Sequence, residues 1–256
     1  MSHKPACFVV AVGSGKGGVG KSTVSLQLAL ALARRDLSVG LLDADLYGPD
    51  IPLMVNLSRA ERARQWDFWR RGGDVRREPL ERYGIRIMSV GFLVGERQAF
   101  TMPALLLTAA LKQLIDHVDW GSPDILLIDL PPGTADLQQQ LLSVVSLDGV
   151  VTVVGPQDVA HLDARRFLDF VRDADVPVLG AIENMSGLVC PHCGETVEVF
   201  APVAENRSIW SDGILRLGQI PLDPSLGKLD GAARGNGSFD LAAANLLEAL
   251  ERLSTD

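Results

Sequence analysis

Short apolar runs alternate along the chain with segments whose apolar residues recur at helical spacing. Residues 8–12 form a β-branched apolar run that ends in glycines, and residues 21–33 then carry Val24, Leu28 and Leu32 on one helical face. Further apolar runs predict strands at 39–43, 85–90, 124–130, 150–154, 178–182 and 215–220, and helical spacing predicts helices at 104–117, 135–145, 160–172 and 239–253. Because the strand runs are almost continuously apolar, they are typical of strands buried on both faces of a parallel sheet. The alternation predicts an α/β fold, a doubly wound, mostly parallel sheet with helices on both faces.

Two stretches interrupt this alternation. Residues 55–84 are rich in arginine, with Trp66 and Trp69 between the arginines, and residues 184–212 contain a pair of cysteines. We interpret both stretches as excursions from the sheet of a single domain that spans 1–256.

Composition and charge narrow the class of protein. Hydrophobic residues make up 47% of the 256 residues and charged residues 22%, which is typical of a globular domain. The net charge of −8 argues against a surface that coats nucleic acid. No apolar run approaches the ~20 residues of a membrane-spanning helix. Three cysteines are too few for a disulfide framework, and the first residues lack a signal-peptide pattern, so we predict a cytoplasmic, reducing location.

A glycine-rich loop follows the first predicted strand and opens the first predicted helix. Its sequence GKGGVGKS, residues 15–22, satisfies the phosphate-loop pattern, in which backbone N–H groups surround phosphate oxygens. Lys21 is placed to reach the β and γ phosphates, and the Ser22 hydroxyl is placed to ligate Mg²⁺. The residues predicted to bind nucleotide here are Gly15, Lys16, Gly17, Gly18, Val19, Gly20, Lys21, Ser22 and Thr23.

Three carboxylates end two of the predicted strands. Asp43 and Asp45 follow one apolar run, and Asp129 follows another. Because the carboxyl ends of parallel strands meet at one edge of a sheet, we expect these carboxylates to lie near the loop. Asp129 is predicted to hold a Mg²⁺ water. Asp45 is the candidate for orienting the attacking water and Asp43 for supporting the metal shell, although the residues alone leave the order of these two roles open. For Asp43 or Asp45 taken singly, a cap at a strand end is the alternative.

The cysteine pair forms half of a metal site. Cys190 and Cys193 have C-x-x-C spacing, whereas zinc and iron–sulfur sites usually take four protein ligands. A second copy of the chain would complete four thiolates, which suit a bridging [4Fe–4S] cluster or Zn²⁺. The alternatives are a redox-active dithiol and an incidental pair. Cys7, which lies just before the first strand, is interpreted as a small packed residue.

Several motifs together resemble those of the Mrp-type ATPases of the deviant Walker A family. They are GKGGVGKST, LLDADLYGPDIP, IDLPPGTAD, PQDVAHLDA, ENMSGLVCPHCG and GQIPLD, and they span most of the chain in the order of that family. The resemblance implies ATP hydrolysis with Mg²⁺ and a homodimer that holds a [4Fe–4S] cluster and delivers it to apo-proteins. It implies that Lys16 reaches the partner's nucleotide and that Asp45 is a switch residue. It further implies that Asn184 and Pro221–Asp223 lie against the adenine.

The chain departs from the family pattern at two places, and two other functions remain open. Ala135 stands where the family usually has glycine, and residues 100–103 replace a common Trp-Arg-Gly-Pro segment. One alternative is a positioning or partition ATPase acting on DNA or a membrane surface. The acidic end of the chain disfavours a membrane, and the arginine-rich stretch is more typical of a solvated surface than of a nucleic-acid site. The other alternative is a non-enzymatic adaptor.

Overall fold

A computed structural model defines the fold of most of the chain. It describes residues 6–45, 48–57, 78–93, 111–132, 138, 141–142, 145–190, 192–223, 226 and 237–254. The tryptophans of the arginine-rich stretch, the segment 100–103, Ala135 and the first half of the helix predicted at 104–117 lie outside these residues. Residues 111–116, 138 and 141–142 are helical, as the pattern predicts for the two segments that contain them.

Within the described residues, nine strands form one mostly parallel sheet. The strands are β1 (Phe8–Gly13), β2 (Val39–Asp43), β3 (Leu80–Arg82), β4 (Ile85–Ser89), β5 (Ile125–Asp129), β6 (Gly149–Val154), β7 (Val178–Val189), β8 (Thr196–Val197) and β9 (Arg216–Leu222). The order across the sheet is β3-β4-β2-β5-β1-β6-β7-β8, and β9 also pairs with β7. Of these described strands, only β3 and β8 run antiparallel to their neighbours. The predicted α/β fold with a mostly parallel sheet is confirmed.

In the part of the chain that the structure describes, four helices with defined bounds accompany the sheet. They are α1 (Lys21–Ala33), α2 (Ile51–Met54), α3 (Asp158–Asp173) and α4 (Gly237–Leu253), with 3₁₀ turns at Val90–Leu93, Glu205–Arg207 and Ile209–Asp212. Helix α1 contacts both the sheet and α4, so apolar residues surround it and most of its length is buried. Helix α3 has an acidic first turn and a basic last turn, which complement its dipole, and it packs against β6 and β7.

The sheet extends into parts of both predicted excursions. Strand β7 continues as far as Val189 instead of ending near residue 182, because β9 pairs with it along that length, and β8 adds two antiparallel pairs at its end. The chain therefore leaves the sheet at Cys190 rather than at residue 184. Residues 80–89 likewise form the β3–β4 hairpin, although the pattern placed residues up to 84 in an excursion.

The register of the central strands brings their carboxyl ends to one edge. Asp43 pairs with Ser89 on one side and with Asp129 on the other, and Asp129 also pairs with Val12 just before the loop. The interiors of β1, β2 and β5 are apolar and almost fully buried, so the polar residues of these three strands lie where the strands end. Among the residues described, no helix combines the length and the apolar character that crossing a membrane requires.

Candidate functional site

The loop between β1 and α1 has the geometry of an anion site. It runs from the end of β1 to Gly20, which adopts a left-handed φ of 81° immediately before the first turn of α1. A Cβ atom at Gly20 would overlap the side-chain amide of Asn184, so only glycine fits there. The first N–H groups of α1 have no partner within the helix, and they therefore favour a bound anion.

A pocket of about 410 Å³ opens along this loop. Loop residues form most of its wall, and Asp45 and Pro132 come from the ends of neighbouring strands. The lining residues are Ser14, Lys16, Gly17, Gly18, Gly20, Lys21, Ser22, Thr23, Asp45, Gly48, Asp50, Met54 and Pro132. The structure thus brings both lysines of the loop, Ser22 and Asp45 to one cavity. Lys16 is the exposed lysine of the two.

Lys21 lies between two of the predicted carboxylates. Its Nζ atom is 2.8 Å from Asp129 Oδ1 and 3.7 Å from Asp45 Oδ2, and only 6% of the lysine side chain is exposed. Ser25, one helical turn later, places its hydroxyl 2.7 Å from the same Asp129 oxygen. The two carboxylates compensate the charge of this buried ammonium and hold it where a phosphate would bind.

Asp43 lies beneath this group in a fully buried position. Its carboxylate accepts hydrogen bonds from Ser89 Oγ at 2.8 Å and from the backbone N–H of Asp45 at 3.1 Å. Burial raises the pKa of Asp43 well above 3.8, and the nearby charge of Asp129 raises it further, while Ser89 and Lys21 act in the opposite direction. The fold therefore disfavours the charged form of Asp43.

The donors present fit a hard divalent cation such as Mg²⁺. Asp129 Oδ2 is fully buried and has no hydrogen-bond partner among the residues described, which is unusual for a carboxylate oxygen. Oxygen ligands from carboxylates and hydroxyls are those that Mg²⁺ prefers. Ser22, Asp43 and Asp129 would hold the ion or its waters beside the phosphates, where it would neutralise charge on the nucleotide.

Replacing Asp43 by asparagine should stabilise the nucleotide-free protein at neutral pH. A carboxyl group whose pKa is higher in the folded than in the unfolded state contributes stability at low pH and loses it as pH rises through the folded pKa. Asparagine removes the charge and keeps the shape, so Asp43→Asn should raise the free energy of unfolding at pH 7 by about 1–2 kcal/mol. Urea unfolding in the presence of EDTA measures this difference.

The matched control for that measurement is Asp36→Asn, since Asp36 is exposed. Its free energy of unfolding should stay within about 0.5 kcal/mol of the parent value. In Asp43→Asn the gain should also shrink as pH falls toward 3.8, the ordinary pKa of an aspartate. A loss of stability at pH 7 would contradict the argument.

Of the residues assigned to the adenine by resemblance, only Asn184 has a described contact with the loop, and Asn184, Pro221 and Asp223 do not line the pocket. The side-chain amide of Asn184 donates a hydrogen bond to the carbonyl oxygen of Val19 at 2.9 Å, and Asn184 is almost fully buried. Pro221 and Asp223 follow at the end of β9, which pairs with β7. Asn184 thus anchors the phosphate loop in this structure, and the contact of these residues with a base stays a prediction.

The cysteine pair occupies a tight loop between β7 and β8. The backbone N–H of Gly194 donates to the carbonyl of Cys190, and the N–H of Cys190 donates to the carbonyl of Glu195. Backbone N–H groups of Cys193 and His192, together with the Cys193 thiol, bond the sulfur of Cys190 and lower its pKa. This loop favours a thiolate at Cys190, which is the form that binds metals.

The two thiols supply an incomplete ligand set. Cys193 is exposed and Cys190 is half-buried. The described residues contain no group of three or more histidine, cysteine or acidic side chains that could hold a metal ion.

Cys7 is exposed, so its interpretation as a packed residue is wrong. It precedes β1 at the amino edge of the sheet, whereas Cys190 follows the carboxyl end of β7, and parallel strands keep these edges apart.

The sequence interpretation missed several polar residues of the site. Ser25 and Ser89 hold the two buried carboxylates, and the hydroxyl of Ser14 donates to the carbonyl of Lys16. Ser89 carries a signal that could have been used, because it ends an apolar strand just as Asp43 and Asp129 do. Ser25 stands one turn after Lys21 on α1, but its partner Asp129 is 104 residues away along the chain.

Comparisons with known proteins agree with this arrangement. Residues 7–247 match the profile of the family described as ParA, NUBPL iron-transfer P-loop NTPase. The chain is 41% identical over 219 residues to an Arabidopsis thaliana protein named iron-sulfur protein required for NADH dehydrogenase, mitochondrial; the match covers 85% of the chain and 67% of that relative. It is 42% identical over 221 residues to the iron-sulfur cluster carrier protein of Aquifex aeolicus, covering 85% and 58% respectively.

Solved structures show the same fold. A nucleotide-binding protein from Archaeoglobus fulgidus in complex with ADP has a TM-score of 0.69 and 31% identity, over 94% of this chain and 88% of that one. The septum site-determining protein MinD from Pyrococcus horikoshii has a TM-score of 0.63 and 21% identity, over 96% and 97%. The chain spans only 58% to 74% of the length of several curated relatives, so those relatives extend beyond the region that matches.

Proposed function

Because the chain belongs to the NUBPL iron-transfer P-loop NTPase family, we propose that it is an ATP-dependent carrier of iron–sulfur clusters. In this proposal two copies hold a [4Fe–4S] cluster between their cysteine pairs and pass it to apo-proteins. The observation that carries the proposal is the combination of a phosphate loop with an exposed, two-thiol half-site on one chain.

The half-site supports a homodimer. Each copy offers Cys190 and Cys193, and four thiolates are the usual ligand set of a [4Fe–4S] cluster. A two-fold axis beside the cysteine loops would bring the two pairs together without further ligands. The exposure of Cys193 is what such an arrangement requires, since a buried thiol would be out of reach of a second copy. Free thiols of this kind also require a reducing compartment such as the cytoplasm.

The phosphate-loop pocket supports ATP hydrolysis. Lys21 and the Mg²⁺ donors would bind the phosphates, and Asp45, whose Oδ2 atom lies 3.7 Å from Lys21 Nζ, would face the γ-phosphate. Asp45 would orient the attacking water, and its Oδ1 atom accepts the N–H of Gly48, which holds the carboxylate in place. Lys16, exposed at the pocket, would reach the nucleotide of the partner copy.

Anaerobic reconstitution tests the proposed function. The protein should take up about four iron atoms per dimer, with the absorbance of a [4Fe–4S] cluster, because each dimer offers four thiolates. Mixing the loaded protein with an apo-acceptor that requires such a cluster should restore the acceptor's activity. A protein that binds nucleotide but takes up no iron, or holds iron that no acceptor can obtain, would contradict the proposal.

The partition-type alternative gains no support from these observations. The likeness to MinD rests on 21% identity and concerns the fold alone. The relatives that cover most of the chain at about 40% identity carry iron–sulfur names.

A further inference from the structure

Helix α3 is attached on one side to the segment that leads back from the cysteine loop. We call residues 204–212 the return segment; it contains the two 3₁₀ turns that precede β9. Asp158, His161 and Arg165 hold this segment, and their spacing of three and four residues places them on one face of α3. His161 Nδ1 accepts the N–H of Ile209 at 3.2 Å, and Asp158 accepts from Arg207 at 2.6 Å.

Arg165 makes the largest number of these contacts. Its Nε and Nη2 atoms bond the two carboxylate oxygens of Asp212 at 2.6 and 3.1 Å. Its Nη1 and Nη2 atoms also donate to the carbonyl oxygens of Asn206 and Ser208 at 3.1 and 3.0 Å. A planar guanidinium that binds a carboxylate with two parallel bonds fixes orientation as well as distance, which a lysine cannot do. Arg165 therefore ties the return segment rigidly to α3.

The same helix is in close contact with the start of the phosphate loop. A Cβ atom at Gly15 would overlap the backbone carbonyl of Asp163, and one at Gly13 would overlap the ring of Phe167. The loop backbone thus rests directly on the middle of α3 with no space between them. Any change in the loop on nucleotide binding must displace α3 or break this contact, because packed interiors transmit strain.

The cysteine loop itself has few other attachments. Its described backbone hydrogen bonds lie within the loop, and beyond it β8 makes only two residue pairs with β7. Residues 192–199 are exposed throughout. Its position therefore depends on β7 on one side and on the return segment on the other.

We propose that α3 transmits the nucleotide state of the phosphate loop to the cysteine loop, and that Arg165 is the positioning residue for this coupling. This inference rests on the proposed function and deepens it. The nucleotide would control the position of the cysteine pair. The competing route is β7, whose Asn184 bonds Val19 in the loop and whose end carries Cys190.

Thiol modification measures the coupling without a bound cluster. In a Cys7→Ser background, the rate at which N-ethylmaleimide modifies Cys190 and Cys193 is followed by mass spectrometry, with and without Mg²⁺ and a non-hydrolysable ATP analogue. The analogue should change this rate by about fivefold or more in the parent, which is the lower range of coupling between linked sites. In Arg165→Ala the change should fall below about twofold, with the analogue bound as tightly as in the parent.

Arg166→Ala is the matched control. Arg166 is adjacent, 72% exposed and paired with Asp163 of the same helix, so this variant loses the same charge without touching the return segment. It should keep the parent response. Arg165→Lys should lose the response as Arg165→Ala does. If circular dichroism shows that the alanine variant is unfolded, the lysine variant is used in its place.

Two results would overturn the proposal. A full response in Arg165→Ala would place the coupling in β7 instead, and the absence of a response in the parent would show that no coupling reaches the thiols. Neither result bears on the proposed function, because iron uptake and transfer are measured separately.

Discussion

Replacing Cys190 and Cys193 together by alanine should reduce the iron content of the reconstituted protein from about four atoms per dimer to nearly none. The reason is that every copy would lose both of its thiol ligands at once, and the described part of the chain holds no group of three or more histidine, cysteine or acidic side chains that could bind the metal instead. Iron and acid-labile sulfide analysis after anaerobic reconstitution measures the effect, with absorbance as the second readout.

The single variants should differ little from the double variant. Loss of one thiol per copy leaves two ligands per dimer, which is too few for a stable cluster. The fold should be unaffected, since the cysteine loop is largely exposed and the hydrogen bonds that close it between Cys190, Gly194 and Glu195 join backbone groups. Thermal unfolding within a few degrees of the parent would verify this.

Cys7→Ala is the control, because Cys7 is also an exposed thiol but lies at the opposite edge of the sheet. This variant should bind iron as the parent does. Normal iron uptake by the Cys190→Ala, Cys193→Ala double variant, or its loss in Cys7→Ala, would refute the assignment of the half-site.

The two lysines of the phosphate loop should have different effects on binding and stability when each is replaced by alanine. Lys21→Ala should abolish nucleotide binding and destabilise the protein by about 3–5 kcal/mol, since removing one partner of a buried ion pair leaves the other charge uncompensated. The uncompensated group is Asp129, whose side chain is fully buried 2.8 Å from the Lys21 ammonium. Isothermal titration with ATP and urea unfolding measure the two effects.

Lys16→Ala should behave differently because Lys16 is exposed. Stability should change by less than about 0.5 kcal/mol, the range of ordinary surface substitutions. Nucleotide binding should persist, whereas hydrolysis should fall by a factor on the order of 1,000, as expected for a cation supplied across an interface to the transition state. Unchanged turnover in Lys16→Ala would contradict its role toward the partner's nucleotide.

A double variant distinguishes the two effects of Lys21. Adding Asp129→Asn to Lys21→Ala removes the uncompensated charge, so much of the lost stability should return. Nucleotide binding should not return, because the cation is still missing. If the double variant is as unstable as Lys21→Ala alone, the buried pair is not the cause of the destabilisation.

The phosphate loop was predictable because all its parts are contiguous in sequence. Glycines, lysine and hydroxyl within residues 15–22 carry the chemistry, and a strand before them and a helix after them set the geometry. The three carboxylates were predictable for a related reason. Apolar runs mark buried parallel strands, and the first polar residue after each run must emerge at the same edge.

Contacts between distant segments were not predictable in this way. Asn184 bonds Val19 across 165 residues of sequence, and Ser89 bonds Asp43 across 46. Neither pairing leaves a pattern in a single sequence, because it depends on which strands become neighbours and in which register. The same holds for β7, whose extension to Val189 follows from its pairing with β9.

The sequence alone thus determined the α/β class, the phosphate loop and the C-x-x-C spacing of Cys190 and Cys193, since each depends on residues that are close in the chain. Only the tertiary structure decided that Lys21 is held between Asp129 and Asp45, that Asn184 anchors the loop, and that Cys7 is exposed. It alone placed α3 between the phosphate loop and the return segment. Burial and hydrogen bonding across the sheet set these relations, and they exist only once the strands have paired.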